Sequence, residues 1–258
     1  MYPISLEGKN ALVFGVANQR SIAWAITSAL HQAGARVALT YQNERLREGV
    51  ASLAATLGDV LLVQCDVSKD EDLEATFHQV QERFGSLAVV VHSIAFAQRE
   101  DLGGDFTKTS REGFRVALDI SAYSLVPIAK YAAPLMETAG GSIITLSFQA
   151  SGRVFPGYNV MGTAKAALEN EVRQLAAELG KRNIRVNALS PGPVDTLSSR
   201  VIQGYTTMKR INAERSPLAR NITQEEIAKA ALFPCSDLSS VITGTILPVD
   251  GGYYIMGI

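Results

Sequence analysis

The sequence predicts a doubly wound α/β domain, with a parallel sheet of about seven strands and helices on both faces. Three observations carry this. Short apolar runs alternate with stretches of helical periodicity from one end of the chain to the other, the pattern that builds a parallel sheet covered on both sides. The 258 residues are 47% hydrophobic, enough for one large core, and α/β folds of this length are routinely one domain. No low-complexity linker or repeat divides the chain, so residues 1–258 read as one unit whose ligand sits outside the carboxyl ends of the strands.

The first strand, near 11–14, runs into Gly15-Val16-Ala17-Asn18-Gln19-Arg20-Ser21-Ile22-Ala23. Gly15 can make a tight turn, and the helix that follows, near 22–32, offers free N–H groups and a positive dipole end to a pyrophosphate. An ordinary strand-to-helix turn with Ser21 as N-cap is equally compatible, because only the first glycine of GxGxxG is present. The second strand, near 37–41, ends at Tyr41-Gln42-Asn43, where an NAD site often carries an acidic residue for the adenosine ribose. Gln42 can still hydrogen-bond a ribose hydroxyl. Arg45 and Arg47 follow on the next helix, near 44–57, and read as solvent-facing, with a role beside a 2′-phosphate left open. NADH is therefore favoured over NADPH, whose 2′-phosphate needs a cationic partner.

The third strand, near 60–65, leads to Asp66-Val67. There a carboxylate can accept an adenine amino group while the valine packs on the ring, or Asp66 can cap the helix near 71–83. His92-Ser93-Ile94-Ala95 closes the fourth strand, near 88–92, with small residues that admit close backbone approach; His92 reads as a core histidine. A helix over 113–136 and a strand near 142–146 come next. Tyr158 and Lys165 then open the helix over 158–179. Seven helical residues leave them about 20° apart around the axis and roughly 10 Å apart along it, so both reach one bound molecule. A phenol near a fixed cation is expected to ionise more easily and to serve a developing oxyanion. A strand near 185–190, a helix over 224–236 and a strand near 245–249 complete the pattern. The irregular stretches 97–111 and 191–216 are long enough to be functional loops, the second a lid.

Composition excludes other classes. With 24 Lys+Arg against 25 Asp+Glu, neither nucleic acid nor an anionic membrane is the expected partner. No apolar run is long enough to span a bilayer, and Met1-Tyr2-Pro3-Ile4-Ser5 lacks a signal-peptide pattern, so a cytoplasmic location is expected. Cys65 and Cys235 read as reduced, buried thiols. His31, His78 and His92 are too scattered for a metal site.

Together these segments resemble the short-chain dehydrogenase/reductase superfamily, a Rossmann-like fold, over essentially the whole chain. Most members have Tyr four residues before Lys and Ser seventeen before it; here those positions hold Met161 and Phe148. The enoyl-[acyl-carrier-protein] reductases of bacterial fatty-acid synthesis have Tyr seven before Lys instead, within the Tyr-Asn-Val-Met-Gly stretch that 158–162 reproduces. Gly15 with Ser21-Ile22, Tyr41-Gln42-Asn43, Gln64-Cys65-Asp66-Val67, His92 through Ala97, Asp119-Ile120-Ser121 and Val249-Asp250-Gly251-Gly252 are also similar to that family.

The resemblance implies an NADH-dependent reductase of trans-2-enoyl thioesters carried on acyl carrier protein, and a homotetramer. It implies that Tyr158 hydrogen-bonds the thioester carbonyl and that Lys165 holds the nicotinamide ribose. Gly15, Ser21, Ile22, Gln42, Asp66, Val67 and Ile94 would line the dinucleotide. Val194, Asp195, Thr196, Leu197 and Ser198 would close over the nicotinamide and pyrophosphate, and Ala97 would touch the acyl group beside Phe148. The last stands where the family usually has a second tyrosine. Pro191 and Asp195 replace a small and a basic residue of the family, and the loop Ser190-Pro191-Gly192-Pro193 looks more like ordinary short-chain dehydrogenases. Two rivals stay open: a short-chain reductase of another carbonyl or enoyl compound, and a protein that senses NAD(H) without turnover.

Overall fold

The apolar runs at 10–14 and 89–92 become strands buried at every residue. A computed structural model describes residues 4–197, 199, 202 and 204–257. Among these the chain forms seven strands, β1 (Asn10–Phe14), β2 (Arg36–Tyr41), β3 (Leu61–Gln64), β4 (Val89–His92), β5 (Gly141–Leu146), β6 (Ile184–Pro191) and β7 (Ile246–Val249). Its eight α-helices are α1 (Ile22–Gln32), α2 (Glu44–Ala54), α3 (Asp70–Phe84), α4 (Arg111–Leu118), α5 (Leu125–Met136), α6 (Val160–Leu179), α7 (Tyr205–Arg215) and α8 (Gln224–Cys235).

The strands pair in the order β3-β2-β1-β4-β5-β6-β7, each pair parallel. Side chains alternate between two cores. On β1, Leu12 and Phe14 pack with α3, α5 and α6, while Ala11 and Val13 pack with α1, α2 and α8, the period of two that a strand imposes. The predicted architecture is the observed one, and β1, paired with both β2 and β4, marks the point where the strand order reverses and a crevice opens.

Three expectations need correction. The helix expected over 113–136 is broken by a π-helical turn at Asp119–Tyr123. Serine hydroxyls cause the break: Ser121 Oγ accepts from Phe96 N–H (2.9 Å) and donates to Phe96 O (2.9 Å), and Ser124 Oγ donates to Ile120 O (2.7 Å). Such bulges recur beside functional sites. Second, α6 starts at Val160, not 158, because Asn159 takes φ 40° and ψ −121°; Tyr158 therefore lies in the preceding turn and shares no helical face with Lys165. Third, the expected loop 191–216 contains α7. That helix buries only Asn212, so it leaves no apolar period in the sequence.

Cys65 and Cys235 are free and buried as expected, and burial pushes their thiols up to about 11 and about 12. Among the described residues no helix is long and apolar enough to cross a membrane.

Candidate active site

A cavity of about 880 Å³ opens at the carboxyl ends of β1, β2, β4, β5 and β6. Its first wall is the β1–α1 turn. Gly15 has φ +96°, and a Cβ there would lie 2.0 Å from Ser93 O, so only glycine lets the turn pass under β4. Ser21 occupies the N-cap position of α1 without capping it; its Oγ instead accepts from the N–H groups of Ala17 and Asn18, both at 3.1 Å. The hydroxyl thus folds the turn back on itself and leaves the first N–H groups of α1 facing outward, the arrangement that attracts an anion. Ser21 and Ile22 both line the cavity.

At the end of β2, Gln42 lines the same wall and its Nε2 donates to Asp66 Oδ2 at 3.4 Å. Asp66 does not cap α3, whose N-cap is Lys69. It accepts from Ser68 N–H (3.1 Å) and Ser68 Oγ (2.8 Å). Burial pushes its carboxyl up, but the bonds from Ser68 and Gln42 outweigh this and hold it below the usual carboxylate range. Asp66 and Val67 are not on the cavity wall; Val67 packs against the core. Arg47 points to Glu44, whereas Arg45, read as solvent-facing with a role beside a 2′-phosphate left open, borders the cavity.

At the end of β4 the wall runs from Ser93 through Ile94 to Ala97 and beyond. His92 lies behind it, fully buried, with Nδ1 2.7 Å from Thr145 Oγ1 and Nε2 2.8 Å from Ser124 Oγ. Burial lowers its pKa to about 3, helped by Lys165, so the ring is a neutral strut between β4, β5 and the π-turn.

Tyr158 and Lys165 meet on the far wall. Lys165 is 3% exposed and its Nζ donates to Leu146 O at 2.6 Å. Burial brings its pKa down to about 8, and Glu169, one turn along α6, opposes the fall; Glu169 is itself gripped by Ser147 Oγ at 2.6 Å. Tyr158 packs on Phe148 with ring centroids 4.9 Å apart, and Phe148 packs on Phe155 at 4.8 Å. The phenol is not made acidic, as the sequence suggested. Burial pushes its pKa up, so the hydroxyl keeps its proton and serves as a neutral donor.

The last wall is the segment after β6. Pro191, Gly192, Pro193, Val194, Thr196 and Leu197 line it. Asp195 does not. Its carboxylate is 65% exposed and pairs with Lys209 Nζ of α7 at 2.5 Å. Ser198 lies outside the described residues. Tyr205, which sequence reasoning missed, lines the cavity and donates from Oη to Val194 O at 2.6 Å; nothing in its local sequence distinguished it from a helix-surface tyrosine.

Comparison with known proteins agrees with this geometry. The family model described as Enoyl-(Acyl carrier protein) reductase matches residues 15–254. The chain is 49% identical over 257 residues to the Enoyl-[acyl-carrier-protein] reductase [NADH] FabI of Nostoc sp., covering 98% of this chain and 99% of that one. Among solved structures it is similar to the Bacillus cereus enoyl-acyl carrier protein reductase with NADP+ and indole naphthyridinone (TM-score 0.96, 47% identity, 98% and 99% coverage). It is also similar to the Anaplasma phagocytophilum enoyl-(acyl-carrier-protein) reductase in complex with NAD (TM-score 0.94, 45% identity, 98% and 96% coverage). With Tyr158 and the buried Lys165 on one cavity and a family model that matches residues 15–254, the chain belongs to the enoyl-(acyl carrier protein) reductase family.

Proposed function

We propose that this protein reduces the trans-2 double bond of enoyl thioesters carried on acyl carrier protein, using NADH, in fatty-acid elongation. The observation that carries the reading is the convergence of Tyr158 and buried Lys165 on a cavity that runs back to the Gly15 turn. The residues suit a dinucleotide: Gly15 lets the β1 turn pass close under β4, the N-terminus of α1 without a side-chain cap suits a pyrophosphate, and Gln42 is a neutral partner for a ribose. When bound, NADH supplies the hydride that reaches the β-carbon of the substrate. Tyr158 then donates its hydrogen bond to the thioester oxygen, where negative charge gathers in the enolate, beside the Phe148 ring on the same wall. Lys165 holds the nicotinamide ribose hydroxyls. Ile94 flanks the dinucleotide, Asp66 and Val67 stand at its adenine end behind Gln42, and Ala97 touches the acyl group. Val194, Thr196 and Leu197, within a lid spanning 191–216, close over the nicotinamide side. The whole acts in the cytoplasm as a homotetramer.

One assay separates the readings. Purified protein should oxidise NADH with a crotonyl thioester and leave simple ketones untouched. Turnover of ketones alone selects another short-chain reductase. NADH binding without either turnover selects a sensor.

NADH affinity should depend on pH through Lys165. Its ammonium is present below about pH 8 and lost above it, so the association constant should be level up to about pH 8 and fall beyond, while Lys165→Met shows a lower, flat profile. The stability sign is opposite: the folded pKa is depressed, the unfolded chain holds more protons between about 8 and 10.5, and this group's contribution to stability rises with pH there. An NADH affinity level from pH 7 to 10 in the wild type would remove the ammonium from the site.

Asp195 is expected to matter little, despite standing where the family has a basic residue. Its charge is turned to solvent and Lys209, and exposed pairs contribute only about 0–1 kcal/mol. Asp195→Asn should leave the NADH Kd within about twofold, by fluorescence titration. A change of tenfold would mean that the carboxylate faces the phosphates.

A further inference from the structure

A non-glycine residue at positive φ adjoins the proposed oxyanion donor. Asn159 has φ 40° and ψ −121°, a region that glycine enters freely and that costs other residues about 1–3 kcal/mol. A glycine there would make the same turn without strain, so the asparagine amide has work that the turn alone does not require. Its Nδ2 donates to Gly103 O at 2.6 Å, and Gly103 N–H donates to Gly157 O at 3.0 Å. These two bonds clip both sides of Tyr158 to one residue of the loop after β4.

That loop is itself fixed. Asp101, 4% exposed, accepts from Ser110 N–H at 2.8 Å at the start of α4. Between Ala97 and Leu102 the loop lines the cavity at the end assigned to the acyl group. The turn that carries Tyr158 is therefore hung from the acyl-side wall, whereas Lys165 is held from β5 through Leu146 O.

We infer that Asn159 is a positioning residue for the reduction: its amide ties the Tyr158 turn to the 97–103 loop, so the hydroxyl is set against the thioester oxygen by the wall that receives the acyl chain. Asn159 touches neither substrate nor cofactor in this role. It acts through Tyr158, and the inference rests on Tyr158 being the oxyanion donor.

The test is a double-variant cycle with crotonyl thioester and NADH, using Asn159→Gly, which removes both amide and strain, and Asn159→Asp, which keeps the shape and loses the donor. Each is made alone and with Tyr158→Phe, and kcat, NADH Kd and Tm are measured. Small misplacements of a reacting group cost up to about 10²-fold, so each single variant should lose about 10- to 100-fold in kcat and keep its NADH Kd within about twofold. With Tyr158→Phe already present, either change should cost almost nothing further, because the hydroxyl it positions is gone. Full additivity, a wild-type kcat in both variants, or loss of NADH binding or folding in both would overturn the inference. An inactive wild type would instead overturn the proposed activity.

Discussion

Tyr158→Phe is expected to lower kcat on an enoyl thioester by about 10²–10³-fold, the usual cost of removing one oxyanion donor, and to leave NADH affinity and Tm nearly unchanged. The hydroxyl is a full-time donor, since burial pushes its pKa up and keeps it protonated throughout the working range. The rest of the side chain is structural. Its ring packs on Phe148, which packs on Phe155, and phenylalanine preserves all of that contact. The loss should therefore fall on the transition state alone and appear in kcat rather than in cofactor binding. Phe148→Tyr should move kcat far less, because the aromatic wall already exists without a second hydroxyl. If Tyr158→Phe retained near-wild-type kcat, Tyr158 would not be the donor.

Gly15→Ala is expected to reduce stability by roughly 3 kcal/mol and to weaken NADH binding more than tenfold, effects of the size seen when a close backbone contact and a positive φ are violated together. The added Cβ would meet Ser93 O at 2.0 Å and Ser93 C at 2.7 Å. Both are main-chain atoms, so no rotamer change relieves the clash, and the β1 turn must lift away from β4 where the cavity begins. Gly58→Ala is the matched control. Gly58 also has a positive φ, +87°, with ψ −125°, but nothing lies within 4 Å of its Cβ position, so it should show only the backbone cost of about 1–3 kcal/mol and no loss of NADH affinity. For a chain of this size 1 kcal/mol is about 2–4 °C in Tm, and calorimetry resolves the difference. Equal losses in the two variants would mean that the Ser93 contact does not matter.

The sheet was legible because its central strands β1 and β4 are buried at every residue, and three of the apolar runs stop at a residue that turns into the cavity: Gly15 after β1, Gln42 after β2, Ser93 after β4. Tyr158 and Lys165 were found for a partly mistaken reason. Their seven-residue spacing suggested one helical face, yet Asn159 bends the chain between them, and it is tertiary placement that brings both to the same wall. Bends of that kind are hidden in sequence when the residue is not glycine. The π-turn at Asp119–Tyr123 was hidden likewise, since Ser121 bonds to the distant main chain of Phe96. Tyr205 and the Asp195–Lys209 pair depend on α7, which has almost no apolar face and therefore no period to read.

The strand order also sets a timetable for synthesis. β5, with the apolar stretch Ser142-Ile143-Ile144-Thr145-Leu146, is made before its partner β6, and until β6 arrives it is the bare edge of a half-built sheet, open to pairing with another chain. At about 5–20 residues per second, the roughly 40 residues between them keep that edge exposed for about 2–8 s on every ribosome. The interval is filled largely by α6, whose Leu168, Val172 and Leu175 cover the sheet's face before its edge is closed. The helix that brings Lys165 to the cavity thus also shelters the nascent sheet while its last strands are still being translated.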